Sequence, residues 1–591
     1  MMRLIWVLAT LLAVACGAPE QRGASADQMG AASEPKRWFI AAANPYAAEA
    51  GAEILRRGGS AVDAAVATQA TLGLVEPQSS GLGGGAFLMH YDPATGSLVT
   101  YNGRETAPAS ATPERFLTGS GEPMAFMDAV VGGLSVGVPG AVRMLEMAHE
   151  DYGSLAWSGL FDRAIALSEE GFSVSPRLNG LLVRIPRLKQ LPEAAAYFYG
   201  ENGAPRPVGH VLKNPDYAET LRAIAEGGAD AFYEGPIAGA IVDAVNSAPN
   251  PGGMTLEDLR SYGVETLEPV CSGYRGYRIC SMAPPSSGGV TTLQILSLLE
   301  RFNLQDAGAM SADALHLLFE ASRLAYADRN EYLADNRNLA AEGGPTPEQV
   351  ISGLLHPDYL ANRSALIDPA RAAASVEAGD PSAYAGEGEW ARFGADGSPE
   401  PPSTSHFVIV DGEGRVVSMT ATVEFAFGSH LMAGGMILNN QLTDFSFVPT
   451  RDGSPVANAV GPGKRPRSSM SPVVVFDEDG DFYSALGSPG GPAIIGYVVK
   501  TLIALIDWNM GLQDAVDAPN AVYPRGQALL EEGGFDDAML EALNARGHEP
   551  TVRSLTSGVH AVRVNADGSY EGAADPRREG VALTGVVEAM D

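Results

Sequence analysis

Two threonines, Thr404 and Thr422, are the residues of this 591-residue chain best placed to do chemistry. The run Pro402-Ser403-Thr404-Ser405-His406-Phe407-Val408-Ile409-Val410 leads into Asp411-Gly412-Glu413-Gly414, and Arg415-Val416-Val417-Ser418-Met419-Thr420-Ala421-Thr422 follows. Alternating apolar and polar residues on both sides of a Gly-rich turn predict an antiparallel hairpin. With residues 412–414 as its loop, Thr404 faces Thr422, their Cβ atoms about 4.5–5.5 Å apart. A hydroxyl facing a second hydroxyl, directly after a Pro/Ser/Gly-rich stretch that is easy to cut, is a candidate nucleophile. A threonine at a strand start is ordinarily inert, so the assignment needs further groups.

Three segments offer them. A second hairpin over 473–476 and 482–486 ends in Gly487-Ser488-Pro489-Gly490-Gly491, with a helix beginning near Pro492. Backbone N–H groups of Gly490 and Gly491 at a helix start suit an anion, as an oxyanion hole requires, although the same loop alone is merely tight. Ser468 and Ser469 present paired hydroxyls within Gly463–Pro472, and Gln441 and Asp444 lie among apolar residues in Leu438–Phe445. Read singly, these are a solvated turn and an Asx-type turn. His406 invites a reading as general base, but its side chain is expected on the opposite sheet face.

The elements that must position these groups follow from the pattern. A helix is expected over 47–57, stopped by Gly58-Gly59, and another capped by Ser60 runs towards Leu74. Strands over 86–91 and 97–101 and helices over 312–333 and 493–506 complete the outline. Residues 368–403 are rich in Ala, Gly, Glu, Pro and Ser and read as a mobile tail. The boundary at 403/404 divides the chain into a larger part, 39–403, and a smaller part, 404–591.

Length alone suggests three or four domains. A hydrophobic content of 45% and a charged content of 19% are those of an ordinary globular protein, and a net charge of −32 argues against a nucleic-acid partner. Residues 1–15 combine Arg3, an apolar run from Leu4 to Val14 and Ala13-Val14-Ala15, the pattern of an export signal. Cys16 follows at once, so the product is either simply secreted or periplasmic, or a lipoprotein anchored through Cys16. Residues 16–38 read as a flexible tether. A two-residue turn at 275–276 sets Cys271 opposite Cys280 for a disulfide; a register one residue off leaves both unpaired. No His/Cys/Asp cluster has metal-ligand spacing.

Together the segments resemble the γ-glutamyltransferase family of N-terminal nucleophile hydrolases. The likeness rests on Thr404-Ser405-His406-Phe407, Asn439–Phe445, Arg465–Pro472 and Gly487–Gly491. It continues through Gly58–Ala65, Gly83–Gly85, Arg104–Pro108, Gly137–Gly140, Pro284–Gly289, Tyr326–Arg329 and Gly572–Arg577, in order, over roughly residues 39–590. The resemblance implies a four-layer αββα sandwich, an α/β fold built jointly by a large and a small subunit. Thr404 would cut the Ser403–Thr404 bond and serve as nucleophile, with its freed α-amine as base, Thr422 holding its hydroxyl and Gly490 and Gly491 forming the oxyanion hole. Arg104, Ser468 and Ser469 would bind the α-carboxylate of a γ-glutamyl group, and Gln441, Asp444 and residue 424 its α-ammonium. Glutathione is the natural first substrate, water or an amino acid or dipeptide the acceptor, and no cofactor or metal is implied.

Two departures stand out. Position 424 is Glu where transpeptidases of the family carry Asn, and the segment from Asp444 to Ser468 is several residues short of a full lid. Both keep open a glutaryl or cephalosporin acylase of the same family. An unprocessed, silent exported binding protein is the reading from another class.

Overall fold

Two large sheets face each other, and their central strands are buried on both faces along nearly their whole length. The computed structural model describes residues 36–591 except 248, 342–343, 387–389, 391, 398–402 and 589–591. The expected signal at 1–15, Cys16 and the tether up to residue 35 lie outside the described residues. In chain order the strands of these sheets are β1 (Arg37–Ala42), β2 (Gly85–Asp92), β3 (Ser97–Gly103), β4 (Glu265–Leu267), β5 (Val270–Tyr274), β6 (Tyr277–Ser281), β7 (Ser405–Val410), β8 (Val416–Thr422), β9 (Val473–Phe476), β10 (Phe482–Gly487), β11 (His560–Val564), β12 (Tyr570–Ala574) and β13 (Val581–Val586). The first sheet runs β13-β1-β7-β8-β2-β3-β4 and the second β12-β11-β10-β9-β6-β5. Arg37 and Trp38, assigned to the tether, are already strand residues.

The hairpin register is the expected one: Ser405 pairs with Ala421 and Val410 with Val416, which brings Thr404 to Thr422. Phe407, Ile409, Val417, Met419 and Ala421 of β7 and β8 pack with α1 (Pro45–Arg56) and α2 (Ala61–Val75). Val408, Val410 and Val416 point the other way, into the layer between the sheets. Beyond the second sheet lie α3 (Gly288–Leu299), α4 (Ala312–Tyr332) and α5 (Ala493–Ile506). The result is the expected αββα sandwich, and residues 36–591 form one compact unit rather than the several that length suggests.

Local chemistry explains the helix starts. Ser60 Oγ accepts the Asp63 N–H at 3.0 Å while the Asp63 carboxylate accepts the Ser60 N–H at 2.8 Å, a reciprocal cap on α2. In β5–β6, Tyr274 pairs with Tyr277, Cys271 faces Cys280, and the two cysteines are joined in a disulfide.

One expectation is corrected. His406 is not turned away from the Thr404–Thr422 face, because residues two apart on a strand share a face. Its ring enters the inter-sheet layer against Gly487, where an added Cβ would lie 2.3 Å from His406 Cε1. There Nδ1 sits 2.8 Å from Thr420 Oγ1, and burial holds the imidazole well below its usual range.

Within 368–403 most described residues are exposed or half-buried, but a few are anchored. Phe393 is buried in the core, and Asp396 Oδ2 accepts from Arg467 Nη2 and Asn458 Nδ2, both at 2.8 Å.

Candidate active site

Thr404 enters β7 with φ +87°, a conformation costly for a β-branched residue and sustained only by surrounding contacts. Those contacts are specific. The Gly490 N–H donates to Ser403 O at 3.1 Å, and Ser403 Oγ donates to Gln78 O at 2.8 Å. Thr404 Oγ1 donates to Thr422 Oγ1 at 3.1 Å, and Arg578 Nη1 donates to Thr404 O at 2.8 Å. Thr422 Oγ1 also accepts the Glu424 N–H at 2.8 Å. Gly490 and Gly491 have φ of 138° and 59°, positions where side-chain-bearing residues are strained; this lets the turn present its backbone to the Ser403 carbonyl.

Across the cavity, Arg104 is fully buried. Nη2 donates to Asp444 Oδ2 at 2.5 Å and to Arg467 O at 2.8 Å, and Nε donates to Pro466 O at 3.1 Å. Gln441 Nε2 donates to the same Asp444 oxygen at 2.8 Å. Arg104 Nη1 and Gln441 Oε1 are buried without a hydrogen-bond partner among the described residues. Asn440 Nδ2 donates to Glu424 Oε2, and Glu424 itself has φ +76°. Ser469 Oγ accepts from Arg329 Nη2 at 2.7 Å, and Ser468 Oγ accepts the Met470 N–H at 3.1 Å.

Every expected substrate-binding residue, together with Thr404, Thr422 and Gly491, lines one cavity of about 20 Å³, with Met470 and Ile494 completing the wall. That is room for about one water. Gly490 reaches the site through its N–H on Ser403.

Several neighbours escaped the sequence reading. Asn440 and Arg329 lie inside motifs already noted but carried no role. Glu105, next to Arg104, lies with Oε2 3.8 Å from Arg104 Nη1; burial pushes its carboxyl up to about 7 against the pull of that guanidinium. Arg578 follows a noted motif, and burial beside Arg177 lowers it to about 9. No spacing rule connects these residues to position 404. Among the described residues, no group of three or more His, Cys, Asp or Glu side chains is arranged to hold a metal.

The gamma-glutamyltranspeptidase family model covers residues 47–585. The chain belongs to the gamma-glutamyltranspeptidase family. A glutathione hydrolase proenzyme from Bacillus subtilis (strain 168) is 37% identical over 556 residues, 93% of this chain and 91% of the relative. An acylase ACY 1 proenzyme from Pseudomonas sp. (strain SE83) is 36% identical over 561 residues, 93% of this chain and 94% of the relative. Among solved structures, the cephalosporin acylase from Bacillus halodurans superposes with a TM-score of 0.78 at 27% identity, covering 93% of this chain and 96% of that one. As a gamma-glutamyltranspeptidase-family member the chain is an enzyme, and its αββα layers are those of its structural relatives. No helix among the described residues is long and apolar enough to cross a membrane.

Proposed function

We propose that the chain is an exported, autoprocessing glutathione hydrolase and γ-glutamyltransferase that works through Thr404. The observation that carries this reading is the geometry at Ser403–Thr404, where the Ser403 carbonyl oxygen rests on the Gly490 N–H while Thr404 Oγ1 is held by Thr422. Attack of Oγ1 on the Ser403 carbonyl carbon forms a C–O bond and breaks the C–N bond, the hydroxyl proton passing to the departing nitrogen. Water then hydrolyses the ester, leaving a carboxylate on Ser403 and a free hydroxyl and α-amine on Thr404. An α-amine has a pKa of about 7.7–8.0, so a useful fraction of it is neutral at physiological pH and able to take a proton from Oγ1.

Turnover reuses the same parts. Thr404 attacks the γ-carbonyl of the substrate, Gly490 and Gly491 stabilise the oxyanion, and the acyl-enzyme passes to water or to an amino acid or dipeptide. Arg104 with Ser468 and Ser469 takes the α-carboxylate; Gln441, Asp444 and Glu424 take the α-ammonium. The unpartnered N–H at Arg104 Nη1 and the unpartnered Gln441 Oε1 are of the right sense for the two ends of a zwitterion. The two products remain one particle. Export through residues 1–15, with either release or lipidation at Cys16, belongs to the same proposal.

The acylase relatives and Glu424 support a second reading, cleavage of glutaryl amides. A denaturing gel and paired anilides test both. Two bands in the wild type and one in Thr404→Ala are expected, with γ-glutamyl anilide hydrolysed at least tenfold faster than glutaryl anilide. Preference for the glutaryl compound selects the acylase, and a single wild-type band removes the enzyme mechanism. Weak stimulation by glycylglycine is expected from the short 445–467 segment.

A further inference from the structure

Arg578 touches the nucleophile's own residue without lining the cavity that holds the substrate groups. Its side chain is buried, and besides the 2.8 Å bond to Thr404 O its Nε and Nη2 reach Thr556 O at 3.4 and 3.3 Å. Its stem passes over the bare backbone of Gly558, where an added Cβ would meet Arg578 Cδ and Pro489 Cγ, each at 2.7 Å. The guanidinium is thereby fixed beside the turn that carries Gly490. Thr404 is gripped at both ends, with Gly490 on the preceding carbonyl and Arg578 on its own, and the positive φ lies between the two grips. Covalent geometry keeps a residue's nitrogen within about 4 Å of its own carbonyl oxygen, so the cation lies within roughly 7 Å of Thr404 N.

The charged groups around this point are few. On the Arg578 side are Glu76, Arg177, Glu579, Asp575 and the phenol of Tyr497. The Glu76 carboxylate accepts from Ser405 Oγ at 3.2 Å, lies 3.7 Å from Arg177 Nε, and is pushed upward by burial. Asp575 is engaged by Ser557 Oγ and by Arg577. His560, packed near Arg578, is held low by burial and stays neutral. On the cavity side stand Glu424 and the Arg104–Asp444 pair.

We propose that Arg578 is a positioning residue with two tasks: it fixes the Thr404 carbonyl for attack on Ser403, and it keeps the freed α-amine unprotonated near neutral pH. The proposal rests on Thr404 being the nucleophile. A fixed like charge at this range disfavours protonation of an amine, by about one pH unit. A purely structural arginine would not produce that shift.

The test uses full-length wild type, Arg578→Gln and Arg578→Lys. It records the first-order rate of band conversion and the acid limb of kcat/KM on γ-glutamyl anilide between about pH 5.5 and 9.5. Arg578→Gln is expected to convert at least tenfold more slowly and, once processed, to show an acid limb raised by about one unit. Arg578→Lys keeps the charge but not the forked geometry, so its limb should stay within about 0.3 unit while conversion slows. Wild-type-like conversion in Arg578→Gln, an unshifted limb in it, or equal shifts in both variants overturns the proposal. If Arg578→Gln yields no processed enzyme, Arg578→Lys decides: an unmoved limb supports the proposal and a raised one overturns it. A wild type that never cleaves would instead sink the nucleophile reading.

Discussion

Arg104 lies between two carboxylates that the fold treats differently. Asp444 is bonded directly to it, whereas Glu105 sits 3.8 Å from Nη1 with neither oxygen hydrogen-bonded, and burial lifts its carboxyl from 4.5 to about 7. A folded-state pKa above the unfolded one means that the folded chain binds more protons across that window. The contribution is therefore fully present below about pH 4.5 and is lost as pH rises through 7, with a magnitude of about 3 kcal/mol. Glu105→Gln removes the titration. The melting temperature of this variant relative to wild type should be more favourable at pH 7.5 than at pH 5; no difference between the two pH values would show that Glu105 does not titrate in this range.

At the level of elements, the site depends on how closely β8 approaches the Gly83–Gly85 turn. A Cβ added at Gly84 would lie 2.1 Å from Thr422 O and 3.0 Å from Val423 Cγ1. Backbone cannot yield as a side-chain tip can, so Gly84→Ala must displace the end of β8, at a cost of about 1–3 kcal/mol. The 3.1 Å pairing of Thr404 with Thr422 would be lost with it. Band conversion should slow at least tenfold in a variant that still melts cooperatively; conversion at the wild-type rate would mean that the hydroxyl pairing is dispensable. The hairpin itself was legible in sequence because alternation and turn chemistry are local. His406 was misjudged in the same stretch: it shares the face of Thr422, and only Gly487 on the facing sheet shows where its ring is accommodated.

For the whole molecule, strand order constrains what cleavage at 403/404 can do. β7, from the smaller part, pairs with β1 from the larger, and β8 pairs with β2; β9 pairs with β6 in the second sheet. β13, near the C-terminus, closes the outer edge on β1. Separating the parts would break ladders in both sheets and expose the layer between them. The products should therefore co-elute on gel filtration in native buffer and separate only in denaturant. Separation under native conditions would contradict this strand order as the order of the mature enzyme.

Sequence by itself determined what depends on near neighbours. The facing threonines, the Ser60 cap, the Gly490-Gly491 turn before α5 and the family all follow from periodicity, turn residues and ordered motifs, whereas sequence leaves the Cys271–Cys280 register open and the structure pairs them. Tertiary structure alone decided which distant groups share the cavity, because contacts such as Arg104 to Asp444 and Arg578 to Thr404 join residues 340 and 174 positions apart. It also decided that Glu105 is isolated from water and that Arg578 grips the nucleophile. Burial and charge proximity are properties of the packed whole, and no local pattern encodes them.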